Sequence, residues 1–421
     1  MDNMVLGEGV VCSTDCKETG VNNNVIVCGA SGCGKTMSVI EPRLLETYES
    51  SLIVTVTKRR IVDQYRAMFE ERGYVVEELN FIEPEKSTVS YDPMQYTERN
   101  SDITFLAQAI VKSDPRKENS VADPYWDEAS VSLLSAECAF IKETKKEGSF
   151  ADVLEFHDRL ALREEGDDLV TPLDASFNAL AEKDPKSFAT SCYRSFSQLP
   201  IRTAKCVFGT LNTIIDTLFT KELRTMMNSA KKIDFEKLAS KKTVLFVLTS
   251  AVNPSLYTFV NLFYSQVFKS LFEYAETLPD GKLPRPVHVL CDDFATGGRI
   301  LNFPEYISIF REKMISTMLL IQSESQLVEM YGHANATTII NNCDTYVYMG
   351  SNDLSTARTI SEKINLPLED VLYMPLSQLF VFRRGQRPII TKRYDVEKNP
   401  QYRRVIEKHQ KCLASKKQCR G

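Results

Sequence analysis

Histidine is scarce in this chain, four residues in 421, and no C-x-x-C pair occurs, which argues against a zinc site. No apolar run approaches the roughly 18–20 residues that span a bilayer, and the longest are strand-length. Nor does a signal peptide open the sequence, since Met1 to Glu18 is polar and carries acidic residues. Repeats and low-complexity tracts are missing too. Positive charge is not in excess: 51 Lys and Arg stand against 56 Asp and Glu, a net of −5. No global field therefore draws the chain to nucleic acid. Any DNA contact must come from a local patch, or from a ring that gathers basic residues in a channel. The eleven cysteines are odd in number, irregularly spaced and flanked by apolar residues, which fits a reducing cytosol better than a disulfide framework.

What is present is concentrated in one stretch. Val25-Ile26-Val27-Cys28 is an apolar strand-like run, and it opens into Gly29-Ala30-Ser31-Gly32-Cys33-Gly34-Lys35-Thr36, the pattern G-x-x-x-x-G-K-T. The glycines allow a turn whose successive N–H groups point inward around a polyphosphate. Lys35 supplies a charge for the β- and γ-phosphates, and the Thr36 hydroxyl is placed to ligate Mg²⁺. The residues that follow read as a helix, whose positive dipole end faces the same anion. All eight residues, Gly29 through Thr36, are the expected ATP-binding set.

A length of 421 residues exceeds what one core usually organises. From Val25 to about Asn80 the pattern alternates: strands at Val25–Cys28, Ser51–Val56 and Tyr74–Leu79, with a helix at Ile61–Arg72 closed by Gly73. Such alternation implies a parallel sheet. From about Arg99 to Ala230 strand signals fade. Val131, Leu134, Cys138 and Ile141 recur at helical spacing, and Pro115, Pro124, Pro172, Pro185 and Pro200 cut the region into short helices. The α/β alternation then resumes with Val244–Leu248, Val287–Cys291, Met318–Ile321 and Tyr346–Met349. The expected organisation is a lead over 1–20, one α/β nucleotide-binding domain split into 21–98 and 231–395, and an all-α insertion over 99–230. A tail over 396–421 completes it. From Lys392 onward ten basic residues stand against three acidic ones, giving either a solvated helix or a tail reaching nucleic acid or anionic lipid.

A phosphate loop needs a metal-ordering carboxylate on a nearby strand. Val287–Cys291 ends in Asp292-Asp293. Asp292 is the expected partner of Thr36 in the Mg²⁺ shell, directly or through water, and Asp293 the group that polarises the attacking water. Most ATPases of this kind carry Glu there, one methylene longer. Gln322, which closes Leu319-Leu320-Ile321-Gln322, could sense the γ-phosphate, or simply end a strand. Phosphoryl transfer also gains from an arginine, often from a neighbouring subunit. Arg311 is the first choice and Arg383 and Arg384 weaker ones, a surface ion pair being the alternative for each.

Several stretches together resemble the TraG/TraD-type coupling ATPases of type IV secretion, particularly those of Gram-positive mobile elements. They are Asn22-Asn23-Asn24-Val25, Tyr91-Asp92-Pro93, Asp292-Asp293-Phe294-Ala295, Phe303-Pro304-Glu305, Ile321-Gln322-Ser323-Glu324-Ser325-Gln326-Leu327 and Asn341-Asn342-Cys343-Asp344-Thr345. In order and spacing they cover about residues 20 to 395. The resemblance implies a RecA-like P-loop motor of mostly parallel sheet carrying an all-α domain that binds cargo, assembled as a homo-hexamer at the cytoplasmic face of the bacterial membrane. It implies a relaxase bound to single-stranded DNA as cargo, the type IV secretion channel as destination, and ATP with Mg²⁺ as cofactors. Two departures stand out. The family's T-D-P-K-G-E loop reads Thr55-Val56-Thr57-Lys58-Arg59-Arg60, a basic loop that could instead face DNA. Only some twenty residues precede the motor, where relatives carry transmembrane helices, so the expectation is either a natural soluble form or an anchor that lies on another polypeptide or has been lost. Two readings compete with a translocating ATPase: an FtsK/HerA-type double-strand translocase, and a docking platform that binds nucleotide without hydrolysing it.

Overall fold

Side-chain alternation in the first apolar run decides how the molecule is layered. Val25 and Val27 enter one core and Ile26 and Cys28 the other, as the two-residue period of a strand requires. The computed structural model describes residues 2–112, 124–160, 163–165, 168–227, 231–250, 253–294, 296 and 299–418; Met1, Pro115, Ala230 and Ala295 lie outside the described residues. The first strands are β1 (Asn3–Gly7), β2 (Val10–Ser13), β3 (Val25–Cys28), β4 (Ser51–Val56) and β5 (Val75–Asn80). A short pair, β6 (Arg163–Glu165) and β7 (Asp168–Val170), lies among the helices. Then follow β8 (Thr243–Leu248), β9 (Val287–Cys291), β10 (Ile315–Ile321), β11 (Thr345–Tyr348), β12 (Gln378–Arg383) and β13 (Ile389–Lys392).

The central sheet runs β13-β12-β11-β3-β10-β9-β4-β8-β5. Its strands are parallel from β11 through β5, while β12 and β13 are added antiparallel. The parallel strands are Val-, Ile- and Leu-rich because both faces are covered. One face receives the helix Arg59–Glu71 through Ile61, Val62, Tyr65 and Phe69, together with Val39, Ile40 and Leu44 from beyond the phosphate loop. The other receives the helices between Asn100 and Met227 and the long helix Pro254–Thr277. Val131, Leu134, Cys138 and Ile141 are all buried in that second core, as their spacing predicts.

Tyr91-Asp92-Pro93 is where the chain leaves the sheet. The fully buried Asp92 carboxylate accepts the N–H groups of Met94 and Phe150, both at 3.0 Å, and pairs with Lys232 at 2.7 Å. One side chain thus ties the exit of the helical region, its helix Phe150–His157 and its return. The opposite ends of β3, β10 and β11 are laced by other residues of the resemblance. Asn24 accepts Thr317 N–H at 3.0 Å and donates to Asn342 O at 3.0 Å, and the Asp344 carboxylate accepts Asn22 N–H at 2.6 Å.

Three expectations need correction. Residues 1–20 are not a separate lead. β1 and β2 form a hairpin whose Met4 and Leu6 are buried, and Glu8 N–H donates to Lys392 O at 2.8 Å. Asp2 accepts the N–H groups of Tyr48, Glu49 and Ser50 at 2.7–2.9 Å. Burial works to raise its carboxyl, but Arg43 and these donors outweigh burial and hold it down at about 2. The helical insertion is not wholly helical, because β6 and β7 pair antiparallel within it. The tail takes the helical alternative, Pro400–Gln418, and is docked on Arg59–Glu71 by buried Tyr402 and Val405 and by a Lys408–Glu71 ion pair of 2.6 Å. Finally, Arg59 and Arg60 do not present free charge to DNA. Arg59 is paired with buried Glu78 at 2.5 Å and Arg60 with buried Glu41 at 2.8 Å.

Candidate nucleotide site

The phosphate loop leaves β3 between two neighbours. Gly29 N–H donates to Ile321 O of β10 at 3.1 Å, and Ala30 N–H to Gly350 O, just past β11, at 2.8 Å. Two glycines then take the left-handed conformation, Gly32 at φ 73° and Gly34 at φ 87°, which a residue with Cβ adopts only under strain. A Cβ on Gly29 would lie 2.7 Å from Cys33 Sγ and 2.9 Å from Met349 Cβ, so close packing also requires glycine there. Beyond Lys35 the chain enters a π-helical turn, Thr36–Ile40, continued by Glu41–Leu45. Lys35 is almost wholly buried. Its ammonium folds back onto the loop's own carbonyls, Gly29 O at 2.5 Å and Ala30 O at 3.2 Å. A buried cation held only by carbonyls is the electrostatic complement of an anion.

Asp292 extends from the carboxyl end of β9, with β10 between it and the loop strand. Thr36 Oγ1 donates to Asp292 Oδ2 at 3.1 Å. Adjacent corners of an octahedral Mg²⁺ shell with bonds of about 2.1 Å lie about 3.0 Å apart. The two oxygens therefore fit as neighbouring ligands of one such ion. Burial pushes the Asp292 carboxyl up, and the charge of Asp293 pushes it the same way; Thr36 and Lys35 pull it back. A buried carboxyl disfavoured as an anion gains most from a divalent cation, which reverses that balance.

Asp293 sits at φ 55°, a left-handed position where Asp is far commoner than most residues. The next residue, Phe294, donates its N–H to Leu320 O at 2.9 Å and so fixes this turn to β10. Gln322 lies one residue beyond Ile321, exposed, with its carbonyl accepting Ser351 Oγ at 3.2 Å. The expected residues Gly29 to Thr36, Asp292, Asp293 and Gln322 thus converge at the carboxyl edge of the sheet.

The arginines do not. Arg311 is in the last turn of the helix Phe303–Lys313, just before β10 begins, and contacts Cys16 O at 3.3 Å. β10 spans seven residues, so Arg311 is about 20 Å from the loop end of that strand. Arg383 pairs in register with Thr345, at the start of β11, and Arg384 is bound to Asp344 at 3.2 Å. All three lie at the opposite edge, and none reaches the loop of its own protomer.

The arginine that does reach it is Arg393, which sequence reasoning missed. Its guanidinium donates to Cys33 O, in the loop, and to Met349 O at 3.0 Å. It braces the loop from outside and is a positioning residue. Arg393→Ala is expected to weaken ATP binding about tenfold and to lower stability by about 1–3 kcal/mol, the range for losing charged hydrogen bonds. Arg393→Lys should restore part of both. Nucleotide titration and thermal melts of the two variants check this; unchanged affinity in Arg393→Ala would contradict it.

The family described as Type IV secretory system Conjugative DNA transfer matches residues 2–365. The type IV secretion system-coupling protein VirD4 of Bartonella quintana is 23% identical over 351 residues, 81% of this chain and 53% of the relative. The chain therefore spans about half the length of the curated relatives it matches. Among solved structures, the plasmid coupling protein TrwB in complex with ADP and Mg²⁺ superposes with a TM-score of 0.67 at 14% identity, over 88% of this chain and 84% of that one. VirB4 of Thermoanaerobacter pseudethanolicus gives 0.54 at 14% identity, over 95% and 98%. No described helix is long and apolar enough to cross a membrane.

Proposed function

Because the chain belongs to the type IV secretory system conjugative DNA transfer family, we propose that it is the ATP-hydrolysing motor that recruits relaxase-bound single-stranded DNA and drives it into a secretion channel. The observation that carries the nucleotide half of this reading is the 3.1 Å approach of Thr36 to Asp292 beside the glycine loop. The RecA-like fold shared with TrwB, whose solved complex contains ADP and Mg²⁺, supports it. Thr36 and Asp292 would hold Mg²⁺, which neutralises charge between β- and γ-phosphates. Lys35 binds the same phosphates, Asp293 takes a proton from the attacking water, and Gln322 orients that water. A homo-hexamer at the cytoplasmic face of the membrane would bring a neighbour's arginine to each site, with Arg311 the candidate in trans.

One observation favours the second reading, a nucleotide-gated platform without turnover: Asp293 is a short carboxylate fixed by its own left-handed turn. Steady-state hydrolysis on assembled rings separates the two. The motor reading expects turnover stimulated by single-stranded DNA and lost in Asp293→Asn with ATP binding retained. Binding without turnover would establish the platform, and stimulation by duplex alone would establish a double-strand translocase.

A further inference from the structure

The metal flank of the phosphate loop faces β10 and β9; the other flank faces β11. A triphosphate whose γ end is fixed at Thr36 and Asp292 must run toward β11 as it passes from γ- to α-phosphate. Its ribose and base then emerge over the residues beyond that strand. Gly350 is the first of these, hydrogen-bonded to loop residue Ala30 at 2.8 Å. Resting on it is the turn Tyr373-Met374-Pro375-Leu376. A Cβ on Gly350 would lie 3.6 Å from Met374 Sδ, so the turn packs directly on the rim of the loop. The turn is held on its far side as well, since Arg393, which braces the loop, donates its N–H to Ser377 O at 2.8 Å.

While Met374 packs inward, its neighbours stand in solvent. Tyr373 is 83% exposed and Leu376 82%, above every other large hydrophobic side chain among the described residues. A lone exposed hydrophobe needs no explanation. Two nearly bare ones on a four-residue turn, held rigid by a proline and seated beside an anion loop, do. We propose that Tyr373 is the stacking platform for the nucleobase of the bound triphosphate, with Leu376 and Met374 as its apolar surround. A phenol ring offers a flat π-face to any base and loses little rotational freedom on stacking. The proposal deepens the nucleotide reading and rests on it, adding a base-recognition element to a loop that by itself reads only phosphates.

The test compares ATP, GTP and inorganic tripolyphosphate, each with Mg²⁺, binding to the full chain and to Tyr373→Ala and Tyr373→Phe. The wild type should bind ATP about tenfold more tightly than tripolyphosphate, within what one base–aromatic stack contributes. Tyr373→Ala should erase that margin and leave tripolyphosphate affinity in place, while Tyr373→Phe keeps the margin. An unchanged ATP-to-tripolyphosphate ratio in Tyr373→Ala would overturn the platform. So would a variant that loses self-association with the ratio intact, which would make the turn a contact between copies. If tripolyphosphate fails to bind the wild type, or binds Lys35→Ala equally well, the phosphate-loop reading falls and the platform with it.

Discussion

Lys35→Ala is expected to cut ATP turnover about a hundred- to a thousandfold, the usual loss when one preorganised donor to a developing charge is removed, while leaving the fold standing. Both halves follow from how the loop is built. Its shape is set by the left-handed glycines Gly32 and Gly34, by the close approach of Gly29 to Met349, and by hydrogen bonds to β10 and β11. None of these involves the lysine side chain. What Lys35 contributes to the loop itself is a pair of contacts to Gly29 O and Ala30 O. Their loss is offset by removal of a buried cation that only neutral carbonyls hold. Thermal melting should therefore move by no more than about 2 °C, equivalent to one or two kcal/mol in a chain of this size. Turnover measured beside a melt decides the matter: turnover surviving the substitution, or a collapse of stability without nucleotide, would contradict this account.

The second large effect is expected at Asp292. Asp292→Asn keeps the shape of the carboxylate and removes its charge, so Mg²⁺ should lose its ability to strengthen ATP binding. Turnover should fall about a hundredfold or more. Stability should move the other way. Burial and the neighbouring Asp293 raise the Asp292 carboxyl, and an acid whose folded pKa is raised destabilises the fold at pH values where it must ionise. The neutral asparagine escapes that penalty, so the metal-free variant should melt at or above the wild type at neutral pH. Thr36→Ala should copy the loss of Mg²⁺ dependence, and Thr36→Ser should restore it. A variant that lost stability and activity together would indicate a merely structural role for Asp292.

The phosphate loop and its aspartate partner were legible because their chemistry restricts residue type locally: glycine where φ is positive, Lys and Thr at fixed offsets, acids ending an apolar strand. The parallel sheet was legible from period and alternation. Contacts between distant segments were not. Arg393 meets Cys33 across 360 positions, and no pattern near either residue announces the other. The opening hairpin is held by Lys392 at the far end of the chain. Its strands of five and four residues are too short to stand out alone. The basic character of Lys58-Arg59-Arg60 misled because its counter-charges, Glu41 and Glu78, belong to other elements. Arg311 is different, since the signal existed. A helix that leads directly into a parallel strand must end at that strand's amino edge, whereas phosphate loops lie at the carboxyl edge. Its position opposite the site followed from connectivity alone.

The account depends on a triphosphate seated in Gly29–Thr36 with its metal between the first helix and the end of β9. A structure of the chain bound to Mg²⁺ and a non-hydrolysable ATP analogue tests that most directly. The expected result is an ion about 2.1 Å from Thr36 Oγ1, with Asp292 bound to it or one water away, and the γ-phosphate within reach of Lys35. An ion touching neither Thr36 nor Asp292, or a triphosphate lying outside the glycine loop, would contradict it.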